Sequence, residues 1–447
     1  MRREYIINRS KYFFPALFIA FLNSLTAYSQ QGSDSLLQQA TLPAVIQYAL
    51  NRQPSVQQSL IDEKITEQQV KSKLSEWYPQ INFNYLYQHN FQVQTTIIGG
   101  NTVRLGVSNT SALQFLGTQT IFNRDVLLAR QTRGTVILQS QQQTSNTKID
   151  LVANVSKAFY EVLATEQQIK VIDENIVRLE RSLKDSKDRY DAGIVDKTDY
   201  KRATIALNNA KASKKMNEEA LKARMEQLKA LMNYPETGVL DIVYDSTTLQ
   251  SETVLDTLQI PDFNNRIEYQ ILQTQRKLLE ANVKYNRWAY LPSVAANGAY
   301  NLNYLNNTFG KLYNQYYPNS YVGLTLAFPI FQGGKRKLEA KRAELELQRT
   351  DFDLVNLRNT INSEYFAALA TYKASLANYY FLKDNVALAQ EVYDVIDIQY
   401  RAGIKTYLEV ITAETDLRTA QINYFNALYE VLSSKIDVEK SLGLIKY

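Results

Sequence analysis

The sequence contains its own plan twice. Arg189-Tyr-Asp-Ala-Gly-Ile194 returns as Gln399-Tyr-Arg-Ala-Gly-Ile404, 210 residues later, and Ala203, Leu207 and Ala210 return as Ala413, Leu417 and Ala420. Further upstream, Phe159-Tyr160 and Leu163-Ala164-Thr165 match Tyr365-Phe366 and Leu369-Ala370-Thr371, now at an offset of 206. The change of offset implies about four extra residues, near one helical turn, in the second copy. Tyr78-Pro79-Gln80-Ile81 pairs with Leu291-Pro292-Ser293-Val294. A repeat of this size is far longer than a solenoid period and reports one architecture built twice.

Within each copy the hydrophobic period switches. Residues 44–74 read as helix and residues 77–122 hold two strand-like runs. Helix resumes over 123–191, breaks at Ala192-Gly193 and continues over 195–233. The second copy gives helix over 264–289, strands over 291–331, helix over 335–400, a break at Ala402-Gly403, and helix over 404–442. The stretch 335–400 would run roughly 100 Å at 1.5 Å per residue, very long for a globular helix. Its apolar spacing is 3-4-3-4, as in Leu382, Val386, Ala389, Tyr393, Ile396 and Tyr400. Ile169, Ile172, Ile176, Leu179 and Leu183 show it in the first copy. That repeat specifies coiled-coil packing. In each copy the two shorter helices together match the long one, so a stacked pair would run alongside it. Residues 235–262, between the copies, are irregular and acidic and read as a small belt.

The N-terminus reads as an export signal. Arg2, Arg3, Arg9 and Lys11 form a basic head, Phe13 to Leu25 an apolar run, and Ala27-Tyr28-Ser29 a small-residue cleavage site. The organisation expected is a signal peptide over 1–29, a first structural repeat over 30–234, an inter-repeat segment over 235–262 and a second repeat over 263–447. No other apolar run reaches 18 residues, so an exported chain of this kind is either soluble outside the cytoplasm or spans a membrane as a β-barrel. Composition narrows the chemistry. With no Cys and a single His (His89), thiolate sites, multi-histidine metal sites and a serine–histidine network lose their raw material. A net charge of +5 is too small to argue for nucleic acid. No phosphate loop or nucleophile–base pair appears. The expectation is a protein that is not an enzyme and needs no cofactor or metal.

The strands decide between water and membrane. Ile81, Phe83, Tyr85 and Tyr87 alternate with Asn82, Asn84 and Leu86. Tyr300, Leu302 and Tyr304 alternate with Asn301 and Asn303, preceded by Asn297. Val322, Leu324, Leu326 and Phe328 alternate with Tyr321, Gly323, Thr325 and Ala327. The run 107–121 is weaker, with Val107, Leu113 and Phe115 on one face. An aromatic face opposite an amide face fits a transmembrane strand with lipid on one side and water on the other. Four strands cannot close a barrel in lipid, where open edges are forbidden. Several copies must therefore pool strands by cyclic symmetry; three copies, which give 12, are favoured over two or four. The fold class expected is mostly α with a transmembrane β part: a trimeric 12-stranded β-barrel, four strands per chain, continued by a long α-helical coiled-coil barrel. On this reading Asn82, Asn84, Asn297, Asn301 and Asn303 line the barrel lumen. Phe83, Tyr85, Tyr300, Leu302, Tyr304, Leu324, Leu326 and Phe328 form a lipid-facing belt. Loops near 89–104 and 306–316 face outside, with His89 a loop residue. The glycine breaks at Gly193 and Gly403 lie about 65 residues from the strands, so they end the tube on the side away from the membrane.

Over nearly the whole mature sequence the chain resembles the TolC-type outer-membrane efflux family. The likeness rests on the duplicated strand-pair and long-helix plan and on Phe328-Pro-Ile-Phe-Gln-Gly-Gly334 leading into a helix. It rests also on Tyr400-x-x-Gly403 followed by Leu408-Glu-Val410 and Ala413. The first copy departs, with Thr120-Ile-Phe-Asn-Arg124 at the equivalent turn. The resemblance implies a homotrimer in the cell outer membrane that extends into the periplasm. It implies a passive exit duct of a tripartite efflux or type I secretion system, docked on a periplasmic adaptor (membrane fusion protein) and an inner-membrane transporter. It places a periplasmic gate at the helix tips, 190–202 and 400–413. There Glu409 and Asp199 match the family's acidic position six residues after Gly403 and Gly193, and Thr412 stands in its second acidic position. Tyr400 and Lys405 match the tyrosine and basic residue that bond an acid, here Asp199, on the neighbouring hairpin. The alternative is a trimeric surface coiled-coil structural or adhesin protein with a β-barrel anchor.

Overall fold

The computed structural model describes residues 37, 39–244 and 246–447. The expected signal peptide over 1–29 lies outside them. Two very long helices, α3 (Arg124–Asp191, 68 residues) and α7 (Lys335–Arg401, 67 residues), form the axis, each roughly 100 Å long. Each turns back at a glycine into a helix of 36 residues, α4 (Lys197–Met232) after α3 and α8 (Tyr407–Leu442) after α7. The other half of each long helix is flanked by α2 (Pro54–Ser75) and α6 (Ile267–Arg287). The stacked-pair arrangement expected from helix lengths is therefore observed. The stretch 44–74 is not one helix, however. It divides into α1 (Leu42–Arg52) and α2 at Gln53, whose ψ of 123° is the extended setting that Pro54 imposes on its neighbour.

At the far end lies a four-stranded antiparallel sheet of order β1-β4-β5-β6. Its strands are β1 (Gln80–His89), β4 (Asn109–Phe122), β5 (Ser293–Asn306) and β6 (Tyr316–Ala327). Both repeats contribute a pair, joined through β4 and β5. The loop over 89–104 folds into a separate hairpin, β2 (Thr95–Ile98) with β3 (Asn101–Arg104), closed by Gly99 and Gly100 at φ 58° and 85°. Two left-handed residues are what a two-residue hairpin turn requires. His89 is not in a loop. It ends β1, and its Nδ1 lies 2.7 Å from Asn109 Oδ1. Val107 precedes β4 rather than belonging to it.

The main core sits at mid-length. It gathers Val155, Val162 and Leu163 of α3, Leu228 and Met232 of α4, and Val431 and Leu432 of α8. Tyr365, Tyr372 and Tyr379, spaced by seven along α7, close it. The belt between the repeats carries α5 (Ser246–Ser251) and is fastened by the first two of those tyrosines. Tyr365 Oη donates to Gln259 O at 2.6 Å and Tyr372 Oη to Thr253 O at 2.6 Å. Buried hydroxyls that reach a carbonyl satisfy both groups. The parallel bridge Ala40↔Ile242 ties the start of the chain to the same belt.

Candidate functional site

Register assigns the two faces of the sheet. Directly paired residues share a face. The rows Ile81↔Gly117↔Gly298↔Val322, Phe83↔Phe115↔Tyr300 and Tyr85↔Leu113↔Leu302 fall on one side. Tyr304, Leu324 and Leu326 share that side by parity. The rows Asn84↔Gln114↔Asn301↔Asn319 and Asn82↔Leu116↔Ala299 fall on the other, with Asn297 and Asn303. The expected belt and lumen sets thus separate cleanly, with Phe328 just beyond the end of β6. The apolar face is bare within the chain. Val322 is 90 %, Ile81 79 % and Leu324 74 % exposed. The polar face is cross-linked by its own amides. Asn301 Nδ2 donates to Asn319 Oδ1 at 2.7 Å, Asn297 Nδ2 to Thr325 Oγ1 at 2.6 Å, and Asn303 Nδ2 to Tyr317 O at 3.2 Å. Among the described residues, no strand covers the outer edge of β1 or of β6. Also among the described residues, no helix is long and apolar enough to cross a membrane.

The opposite end of the molecule is built from the two hairpin turns. Gly193 (φ 71°) and Gly403 (φ 77°) take the left-handed conformation that ends each long helix. Gly193 N donates to Tyr190 O and Ile194 N to Arg189 O, both at 2.9 Å. Gly403 N donates to Tyr400 O at 3.0 Å and Ile404 N to Gln399 O at 2.9 Å. This paired 5→2 and 6→1 bonding satisfies the last helical carbonyls. Ile194 and Ile404 stand 71 % and 73 % exposed at the two tips.

The side chains above the turns differ. Glu409 Oε2 accepts from Thr406 N at 2.9 Å and Thr406 Oγ1 at 3.0 Å, a capping box at the start of α8. Lys405 Nζ donates to Glu409 Oε1 at 2.6 Å. Lys405 and the Thr406 donors hold the Glu409 carboxyl down to about 2. The expected bond from Lys405 to Asp199 is therefore absent within the chain. An acid four residues further along the chain, in the first turn of α8, is nearer than one on another hairpin. Glu409 is not a bare charge either, because Lys405 and Thr406 compensate it. Tyr400 does not bond Asp199. Its ring lies beneath the Arg189 guanidinium, 4.8 Å from ring centre to Cζ, and against Tyr407 at 5.8 Å. Its hydroxyl is buried without a hydrogen-bond partner among the described residues. Thr412 turns its hydroxyl to Leu408 O at 2.9 Å. Asp199 is half-buried and lies close enough to Tyr407 to add to that phenol's upward shift, which burial dominates.

The ends of all four long-hairpin helices converge here. Ala203 of α4, Tyr400 of α7, and Tyr407 and Val410 of α8 form one buried cluster, with Leu183 of α3 against it. One turn or so deeper lies a polar group that sequence reasoning missed. Asn175 and Arg178 of α3 meet Glu414 of α8, 239 residues from Asn175 along the chain. No local pattern could have joined positions that far apart.

Comparison with known proteins places this geometry in context. A family described as "Outer membrane efflux protein" matches residues 45–234 and 265–444. The outer membrane protein TolC of Escherichia coli (strain K12) is 24 % identical over 94 % of this chain and 86 % of its own length. Among solved structures, CusC superposes with a TM-score of 0.73 at 15 % identity, covering 93 % of this chain and 95 % of that one. The outer membrane protein VceC from Vibrio cholerae gives 0.69 at 13 % identity, covering 90 % and 96 %.

Proposed function

The chain belongs to the outer membrane efflux protein family, and on that premise we propose that three copies assemble into one continuous duct through the outer membrane and across the periplasm. The observation that carries this reading is the sheet: four strands, one bare apolar face, one amide face and two unpaired edges. In lipid each unpaired backbone group costs several kcal/mol, so the edges must be closed by more strands. Joining β6 of one copy to β1 of the next three times gives 12 strands with Phe83, Tyr85, Tyr300 and Leu324 toward lipid. Asn82, Asn84, Asn297, Asn301 and Asn303 then face water. The same symmetry sets three pairs of α3–α4 and α7–α8 hairpins side by side as the periplasmic tube. A conduit needs a wall, a hole and a gate, and no reacting group.

The gate in this reading is the ring of hairpin ends at Gly193 and Gly403. Three copies of Glu409 would favour cations and repel one another on closure. Lys405 offsets that repulsion in each copy, and Arg189 over Tyr400 ties the two hairpins together. A periplasmic adaptor would engage these ends and connect them to an inner-membrane transporter, as in tripartite efflux or type I secretion. The alternative of a surface stalk finds no support in the family match. Ion conductance across planar bilayers tests the gate. Lys405→Ala and Arg189→Ala should each raise it. Unchanged conductance and unchanged leakage in both variants would refute this gate.

A further inference from the structure

Glu414 sits where α8 leans on α3. It is 2 % exposed, as is Asn175 opposite it. Asn175 Nδ2 donates to Glu414 Oε1 at 2.9 Å, and Arg178 Nε lies 3.4 Å from the same oxygen, an ion pair rather than an aligned hydrogen bond. Glu414 Oε2, Asn175 Oδ1 and Arg178 Nη2 are buried with no hydrogen-bond partner among the described residues. A buried network left half-satisfied is costly to hold, because low dielectric penalises each unpaired group. A groove of about 450 Å³ opens onto Glu414 and Asn175 between α3, α4 and α8. The charged and titratable groups around the carboxylate are known on every side. From α3 come Arg178 and its partner Glu174 at 3.9 Å; from α4, Arg202 on the groove wall. From α7 comes Tyr393, with Asp397 and Arg401 beyond it; from α8 come Tyr407 and Arg418.

We infer that Glu414 is a proton-binding site in the seam between the two hairpins, and that its ionisation weakens the seating of α8 on α3 and so favours an open mouth. The inference rests on the reading of the hairpin ends as the gate. When seated, the carboxyl is pushed up to about 7, because burial outweighs Arg178 and Asn175; in water its ordinary value is 4.5. The seated form thus holds its proton more tightly. Its advantage is full in acid and is lost as pH rises from 4.5 towards about 7. Between pH 6 and pH 8 that amounts to about a tenfold change in the seating equilibrium.

Hydrogen exchange by mass spectrometry on the purified full-length protein in detergent reads the seating directly, after correction for intrinsic rates. Protection over 400–415 should fall about tenfold from pH 6 to pH 8. Glu414→Gln should remove the pH dependence while keeping protection, since the amide is neutral and the same shape. Arg178→Met should move the midpoint to higher pH, since it deletes the cation that favours the charged form. A flat profile in the parent chain, or the same profile in Glu414→Gln, overturns the inference. Conductance measured over the same pH range separates the two readings. If exchange follows Glu414 and conductance does not, the proton site stands and the gate assignment falls.

Discussion

The chain reverses twice at the end away from its sheet, and the two reversals are the same backbone carrying different side chains. Tyr190 and Tyr400, Ala192 and Ala402, and Gly193 and Gly403 occupy matching places with matching hydrogen bonds. Beyond the glycine the copies part. Val195, Asp196, Lys197 and Asp199 stand where the second copy has Lys405, Thr406, Tyr407 and Glu409. At the first turn Asp196 caps α4 by accepting from Thr198 N at 3.2 Å, and Tyr190 stacks on Tyr200 at 6.4 Å. At the second, a capping box and a lysine lock the turn, and a fully buried tyrosine anchors it. Duplication thus conserved the fold-back and let one turn acquire the rigid, charged apparatus. The first hairpin supplies the small Ala203 and the Arg189 platform against which that apparatus rests.

The contrast is sharpest at the anchor. Tyr407→Ala should cost about 3–5 kcal/mol of local stability, as truncation of a buried aromatic does. Lys197→Ala at the matching exposed place should stay within about 0.5 kcal/mol. Exchange protection at the two tips reads both, and equal losses would break the comparison. The shared backbone predicts a second, symmetrical effect. Nothing lies within 4 Å of a Cβ built on Gly193 or Gly403. Alanine at either place therefore meets only left-handed strain, about 1–2 kcal/mol, and the two melting shifts should agree.

The caps should respond unequally to acid. Glu409 is lowered, so its bonds contribute in full above the ordinary carboxylate value of 4.5 and are lost progressively as pH falls from there through about 2. Protection of the first turn of α8 should begin to fall below about pH 4.5 and be lost near pH 2, and Glu409→Ala should lack it at every pH. Asp199→Ala should leave the first turn of α4 unchanged. The smallest effect comes from grafting. Val195→Lys with Asp199→Glu rebuilds the lysine–glutamate pair of the second turn on the first and should raise protection there about twofold, the scale of one helical ion pair. No gain would mean that the cap depends on more than these two side chains.

Much of this is legible in the sequence, because it repeats at short range. The 3-4 spacing along Leu382 to Tyr400, alternation along Ile81 to Tyr87, and the glycine breaks each announce one element. The helix break at Pro54 and the Gly99-Gly100 hairpin carry local signals, each set within a longer periodic stretch that masks it. Thr406-x-x-Glu409 is likewise a capping-box signature, and it explains why Lys405 finds Glu409 before Asp199. The seam of Asn175, Arg178 and Glu414 was not legible. Burial of a carboxylate by two other helices leaves no trace in the residues beside it.

The central claim is that one chain cannot close its own membrane wall and that three do. Native mass spectrometry of the detergent-solubilised protein tests it most directly. The account predicts a single species with three times the mass of the mature chain. A monodisperse monomer, stable in buffer without detergent, would contradict it.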